Sequence, residues 1–233
     1  MFDRPGSADP VVRSYTVRRF DPAGPFLDVD FAVHDGGVAA EWAARVQPGA
    51  RITVSEARGW YNPPVDTEWQ LLVADMTGLP ALTRAIEQLA AGARAHVIAW
   101  TPSVQDCQHV DTRGRVSYQW IHPDGDTAPV AIGSGLVDAV ERFRLPEGIG
   151  YLWAATEAGD ARAIRHLFHR RRGWSPERFE IKGYWRRDKE QWQRRYDLVQ
   201  EHIDTVRDRA VAAGLTGHAL VDVVDTALED AGL

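Results

Sequence analysis

Alternation of apolar and polar side chains is sharpest near the start of the chain. Over residues 26–33, Leu27, Val29, Phe31 and Val33 alternate with Asp28, Asp30 and Ala32, the two-residue period of a half-buried strand. Residues 11–20 are rich in β-branched and aromatic side chains, and Asp21-Pro22-Ala23-Gly24-Pro25 is a turn cluster, so the two segments are predicted to form a hairpin. His34-Asp35-Gly36-Gly37 ends the alternation. Residues 38–46 read as a short helix, and Pro48-Gly49 leads into a further predicted strand over 51–55. Asn62-Pro63-Pro64 then punctuates the chain and marks a domain boundary.

Beyond that point strands and helices alternate. Residues 69–74 (WQLLVA) form a continuous apolar run, the mark of a strand buried on both faces. A helix over 79–90, strands over 95–100 and 116–121, a helix over 134–143, a strand over 150–155, a helix over 157–171 and a strand over 178–185 follow. This order predicts a doubly wound parallel sheet. Ligands of such sheets lie outside the carboxyl ends of the strands. That edge is predicted to hold Asp75-Met76-Thr77-Gly78, Thr101-Pro102 and Thr156-Glu157. After Asp188, the residues Trp192, Tyr196, Val199, Ile203, Val206 and Ala210 recur at helical spacing. Gly214 stops that helix, and Thr216 is a candidate cap for a second one ending near residue 229.

Composition narrows the classes. A net charge of −6 and a pI of about 5.7 exclude a global basic field for nucleic acid, so any anion site must be local. Cys107 is the one cysteine, which excludes an intrachain disulfide and a Cys-rich metal site. No apolar run reaches membrane-spanning length and the first residues lack an apolar signal core, so the cytoplasm is the expected compartment.

The sharpest candidate for chemistry is Arg13-Ser14-Tyr15-Thr16. In a strand, Arg13 and Tyr15 share one face and Ser14 and Thr16 the other. A guanidinium makes paired bonds to phosphate oxygens, and a phenol ring stacks on a planar redox ring, so this pair suits a flavin nucleotide. Glycines before a helix, as at Gly36-Gly37, let a diphosphate approach free N–H groups, and His34 adds a donor. Arg170-Arg171-Arg172, with Lys182 and Arg186-Arg187, reads as a solvated helix end or as a local attraction for a phosphate. Asp106-Cys107-Gln108-His109 has too few ligands to predict a metal. His122 reads equally as structural or functional. The apolar stripe of the C-terminal helices is expected to pack on the protein's own surface or on a second subunit.

Arg13-Ser14-Tyr15-Thr16-Val17-Arg18, Asp28-Val29-Asp30-Phe31, His34, Gly36-Gly37 and Trp42-Ala43 together resemble the FAD-binding half of siderophore-interacting proteins, the ferric-siderophore reductases. Residues 69–82 (WQLLVADMTGLPAL) resemble the first strand and turn of that family's nicotinamide domain. Residues 151–157 and Lys182-Gly183-Tyr184-Trp185-Arg186 resemble its later signatures.

The resemblance implies a flavin-binding antiparallel β-barrel, then a ferredoxin-reductase-like nicotinamide-binding parallel α/β domain, then a C-terminal helical extension. The corresponding bounds are 1–66, 67–188 and 189–233. It implies cofactor contacts from Arg13, Ser14, Tyr15, Thr16, Asp30, His34, Gly36 and Gly37 on the FAD side. Asp75, Thr77, Glu157, Lys182, Tyr184, Trp185 and Arg186 would serve the nicotinamide or siderophore side. By that analogy Arg13 holds an FAD phosphate, Tyr15 stacks on the flavin, Thr16 meets its ring, and Lys182 favours NADPH over NADH. No catalytic side chain and no resident metal are implied. The substrate would be a ferric siderophore, with the protein a monomer or weak homo-oligomer. A flavin- or chelate-binding accessory protein without turnover, and a general NAD(P)H:flavin oxidoreductase, are the alternatives.

Some positions depart from the family pattern. Val38 and Ala40 stand where Pro and Ser are common, Met76 replaces an acidic residue, and Thr156 replaces a glycine. These bear on nicotinamide use more than on FAD. Six barrel strands need on the order of 80–110 residues. Residues 1–66 are fewer, so the barrel is expected to be incomplete.

Overall fold

The computed structural model describes residues 12–24, 26–32, 38–123 and 132–233. A five-stranded parallel sheet forms its centre, in the order β5-β4-β3-β6-β7. The strands are β3 (Trp69–Ala74), β4 (Arg94–Trp100), β5 (Arg115–Ile121), β6 (Gly150–Glu157) and β7 (Phe179–Trp185). β3 lies in the middle and pairs in parallel with β4 and β6. The chain first builds outward to β5, then returns to the other side of β3. The point of reversal is therefore the crevice between β3 and β6, where doubly wound sheets bind ligands.

Helices cover both faces of the sheet, which is why WQLLVA needs no polar alternation. Leu71 and Val73 face α3 (Leu136–Arg142) and α4 (Ala158–His166), packing with Leu152, Ile164, Phe168 and Phe179. Leu72 and Ala74 face α2 (Leu79–Glu87), packing with Leu82, Ile86, Val97 and Trp153. The one polar side chain of β3, Gln70, is 7% exposed, and its Oε1 accepts a 2.6 Å bond from the Tyr61 hydroxyl. That bond removes the desolvation penalty of a buried amide oxygen. The edge strand β5 alternates exposed and half-buried residues, as a strand covered on one face should.

The N-terminal region departs from the sequence expectation. Described residues before 67 hold one two-stranded antiparallel sheet, β1 (Val17–Asp21) with β2 (Phe26–Val29), followed by helix α1 (Val38–Arg45). The predicted hairpin is present but shorter at both ends: residues 12–16 and 30–32 lie outside the ladder. The strand predicted over 51–55 does not form, and Ile52 and Val54 are exposed. An alternating segment becomes a strand only where a neighbour takes its N–H and C=O groups. The hairpin is fixed against α2 by charge. Arg18 makes two bonds to Glu87, at 2.8 and 2.6 Å, and Arg84 Nη1 donates to the carbonyls of Val17 and Arg18.

The C-terminal region is three helices rather than two: α5 (Lys189–Asp197), α6 (Gln200–Ala212) and α7 (Gly217–Asp230). Gly214 ends α6 with φ +83°, as its backbone freedom permits. Thr216 occupies the position before α7 but makes no capping bond with its side chain. Ile203, Ala227 and Leu228 share a small core with Trp192, Tyr196 and Val206. The basic run next to α4 holds this unit down. Arg165 pairs with Asp225, Arg170 donates to Thr226, and His169 Nε2 lies 2.9 Å from Asp222. Arg171 and Arg172 both reach Glu141, through its carboxylate and its carbonyl. Its charges are thus engaged within the protein. Among the described residues no helix is long and apolar enough to cross a membrane.

Candidate active site

The carboxyl ends of β3 and β6 converge on a set of carboxylates with different tasks. Asp75, directly after β3, is fully buried. Its Oδ1 accepts from the Thr77 amide at 2.8 Å and the Thr77 hydroxyl at 2.6 Å, and its Oδ2 accepts from Trp185 Nε1 at 2.7 Å. Burial pushes the Asp75 carboxyl above its ordinary range, against the lowering effect of those bonds. Asp75 and Thr77 therefore brace the β3–α2 turn to the end of β7 and set the plane of the Trp185 indole. Gly78 sits tight in that turn. A β-carbon there would lie 2.9 Å from the Ala155 β-carbon and closer still to the Ala155 carbonyl oxygen.

Glu157 caps α4. Its Oε2 accepts from the amides of Gly159 at 2.7 Å and Asp160 at 3.3 Å, and its Oε1 accepts from the Arg187 amide at 3.0 Å. The free amides at this helix start are thus used by the protein itself. Thr156 is fully buried and its hydroxyl donates to the Glu157 carbonyl at 3.2 Å. The β6–β7 register slips between Thr156 and Glu157, so Glu157 stands opposite Trp185.

Asp160 is a member of this edge that the sequence did not single out. Its Oδ2 is buried without a hydrogen-bond partner among the described residues, 2.9 Å from where a β-carbon on Gly133 would stand. Burial, and then the Glu157 charge, push its carboxyl up to about 6, with Arg187 opposing and Asp75 adding. An acid that binds its proton more tightly when folded loses stability as pH rises from its unfolded to its folded value. That window runs from 3.8 to about 6 here, and the penalty persists above it. Asp160→Asn should therefore stabilise the fold at neutral pH by on the order of 1 kcal/mol, a shift moderated by partial solvent contact. Below the ordinary carboxylate range it should do nothing. Urea unfolding at the two pH values checks this, and an equal gain at both contradicts it.

The N-terminal motif comes near the end of β7. Burial raises the Tyr184 phenol and the neighbouring Thr16 side chain lowers it, so Thr16 lies beside the end of β7. Tyr15 is 40% exposed and its ring lies 4.4 Å from that of Phe31, which in turn lies 5.9 Å from Trp42. Burial raises the Tyr15 phenol and the Arg13 charge lowers it, so the two side chains sense each other. Arg13 and Ser14 are exposed, and Arg13 Nη1 donates to the Val12 carbonyl at 2.8 Å. Asp30 lies 3.8 Å from Arg18 Nε, an ion pair of the hairpin. His34, Gly36 and Gly37 lie outside the described residues. An exposed guanidinium beside a half-exposed phenol fits a flavin nucleotide, which needs a phosphate anchor and a flat apolar platform.

Lys182 and Arg186 are placed differently from one another. Lys182 Nζ lies 2.9 Å from Glu180 and 4.1 Å above the centre of the Trp60 ring. Arg186 lies 3.9 Å over Trp192 of α5. Both charges thus have aromatic partners that the sequence reading did not foresee, because Trp60 lies in a stretch without regular structure. The count of tryptophans was its only signal.

A family model described as siderophore-interacting protein matches residues 67–188, and one described as siderophore-interacting FAD-binding domain matches residues 1–61. The chain belongs to the siderophore-interacting protein family. This siderophore-interacting protein is 31% identical over 190 residues to the NADPH-dependent ferric-chelate reductase of Escherichia coli K12, covering 78% of this chain and 68% of the relative. It is 26% identical to the ferric vibriobactin reductase of Vibrio cholerae, covering 77% of this chain and 66% of the relative. The chain thus spans about two thirds of the length of these relatives. The crystal structure of a siderophore utilization protein from T. fusca superposes with a TM-score of 0.68 at 35% identity, over 79% of this chain and 70% of that one. The family assignment accords with the hairpin, the five-stranded parallel sheet and the C-terminal helices described above.

Proposed function

We propose that this siderophore-interacting protein is an FAD-dependent reductase that passes electrons from NADPH or NADH to a ferric siderophore and releases Fe(II). The observation that carries the reading is the exposed Arg13 two residues from Tyr15, whose half-exposed ring is backed by Phe31 at 4.4 Å. Residues 1–66 form the FAD side, 67–188 the nicotinamide side and 189–233 a helical brace on α4.

FAD, when bound, takes up a hydride and gives out single electrons, as Fe(III) requires. The residues supply binding and orientation. Arg13 holds an FAD phosphate, with Ser14, His34, Gly36 and Gly37 nearby in sequence. Tyr15, backed by Phe31, presents a flat apolar face to the flavin ring. Asp75 and Thr77 act through Trp185, whose indole they hold at the edge of the cleft, and Glu157 acts by fixing the start of α4. Lys182 and Arg186 supply positive charge for a cofactor phosphate or an anionic chelate. Fe(II) binds hard oxygen donors less tightly than Fe(III), so reduction releases the metal. The reducing reaction suits the cytoplasm.

Anaerobic absorption spectroscopy tests the proposal. The protein should take up FAD and turn yellow, lose the flavin bands on addition of NADPH, and regain them with a ferric siderophore while a ferrous chelator reports Fe(II). Protein that stays colourless with excess FAD would sink the reading. Bands that NADPH leaves intact would reduce it to flavin binding without turnover.

A further inference from the structure

We propose that Cys107 and His122 form a thiol–imidazole pair that reacts with hydrogen peroxide, a redox site apart from the flavin chemistry. The inference does not rest on the flavin reading. Thr101 follows β4 and His122 follows the neighbouring β5, so the sheet delivers both to its carboxyl edge. His122 Nδ1 lies 2.9 Å from the Thr101 hydroxyl and 3.3 Å from the Thr101 carbonyl oxygen. Thr101 is fully buried and its hydroxyl donates to the Ser103 carbonyl at 3.0 Å. Both oxygens facing Nδ1 therefore act as acceptors. Nδ1 must carry the proton, which leaves the lone pair on Nε2. Nε2 lies 3.6 Å from Cys107 Sγ.

A cysteine by itself says little. Here it has a base whose tautomer is set by a third residue, the order of nucleophile, base and orienter that activates a thiol. Cys107 sits just after the short 3-10 turn Val104–Asp106, which the Ser103–Asp106 bond of 2.7 Å closes. The residue is half-buried rather than sealed in the core.

In the reaction, His122 Nε2 takes the thiol proton and the sulfur attacks one peroxide oxygen. The S–O bond forms as the O–O bond breaks. The departing hydroxide takes the proton back from the imidazolium and leaves as water. Cys107 is oxidised by two electrons to the sulfenic acid, and hydrogen peroxide is reduced to water.

The test uses the full chain with equimolar hydrogen peroxide at neutral pH, trapping the sulfenic acid with dimedone and reading intact mass. With one cysteine in the chain, one adduct reports one site. A base held beside the sulfur takes its proton as the S–O bond forms, so the native rate should exceed that of the urea-unfolded chain by on the order of tenfold or more. His122→Gln should bring the rate down to the unfolded value, and Thr101→Val should lower it in part. Iodoacetamide should rank the same proteins in the same order. Equal native and unfolded rates overturn the proposal. So does a folded His122→Gln variant that reacts as fast as the native protein. If that variant does not fold, the native-to-unfolded ratio alone decides.

Discussion

Replacing Arg13 by alanine is expected to weaken FAD binding by about 1.5–3 kcal/mol, a loss of roughly ten- to a hundredfold in affinity. The guanidinium is exposed and bonded to its neighbour's carbonyl, an interaction easily exchanged for a phosphate. Charge-assisted bonds of that kind are about twice as strong as neutral ones, and no adjacent residue of the motif replaces the charge. The fold should be untouched, because Arg13 lies outside the β1–β2 ladder and the sheet core. Titration of the apoprotein with FAD, followed by flavin fluorescence, gives the affinity directly. Lysine at the same position should restore part of it as a point charge. Unchanged affinity in the alanine variant removes Arg13 from the site.

Gly78→Ala is expected to destabilise the protein by about 3 kcal/mol, the upper part of the range for overpacking. The added methyl would meet the Ala155 carbonyl oxygen and β-carbon and, at 3.1 Å, the Ala74 β-carbon. These are backbone or first side-chain atoms, so no rotamer change relieves the clash. The Ala155 carbonyl also accepts the Asp75 amide bond that holds the crevice closed. The turn must move outward, carrying the Asp75–Trp185 bond with it. Urea unfolding measures the loss, and a quenching or shift of tryptophan emission in the folded variant reports the freed Trp185. A Gly78→Ala protein of native stability would show that the turn is looser than these distances require.

The parallel sheet was readable along the chain because its signal is local. A strand covered on both faces must be apolar throughout, and WQLLVA meets that condition, all six residues being buried. The hairpin was readable for the same reason, through the alternation of Leu27 and Val29 with Asp28 and the turn at Asp21-Pro22. The segment 51–55 shows where local pattern stops being enough. Its residues alternate, but no ladder among the described residues takes them up, and they stay outside regular structure.

The site was readable in its letters and unreadable in its roles. Residues 75, 77 and 157 fall at strand ends, which the strand–helix alternation alone locates. That Asp75 spends both oxygens on Thr77 and Trp185 depends on a partner 110 residues away. That Arg18 grips Glu87 depends on one 69 residues away. The three arginines after α4 look like a free basic patch in sequence, and become ties to α3 and α7 only once those helices are packed. Asp160 is an ordinary first-turn acid until burial beside Glu157 raises its proton affinity.

What the sequence determined by itself was the family, the layered sheet and the edge where chemistry belongs, since each follows from side-chain period and from motifs a few residues long. The tertiary structure alone decided which of the charged groups are spent on the protein and which remain for a ligand. The reason is range: burial period is written every two or four residues, whereas the pairing of a charge is a distance of a few ångströms between segments far apart in the chain.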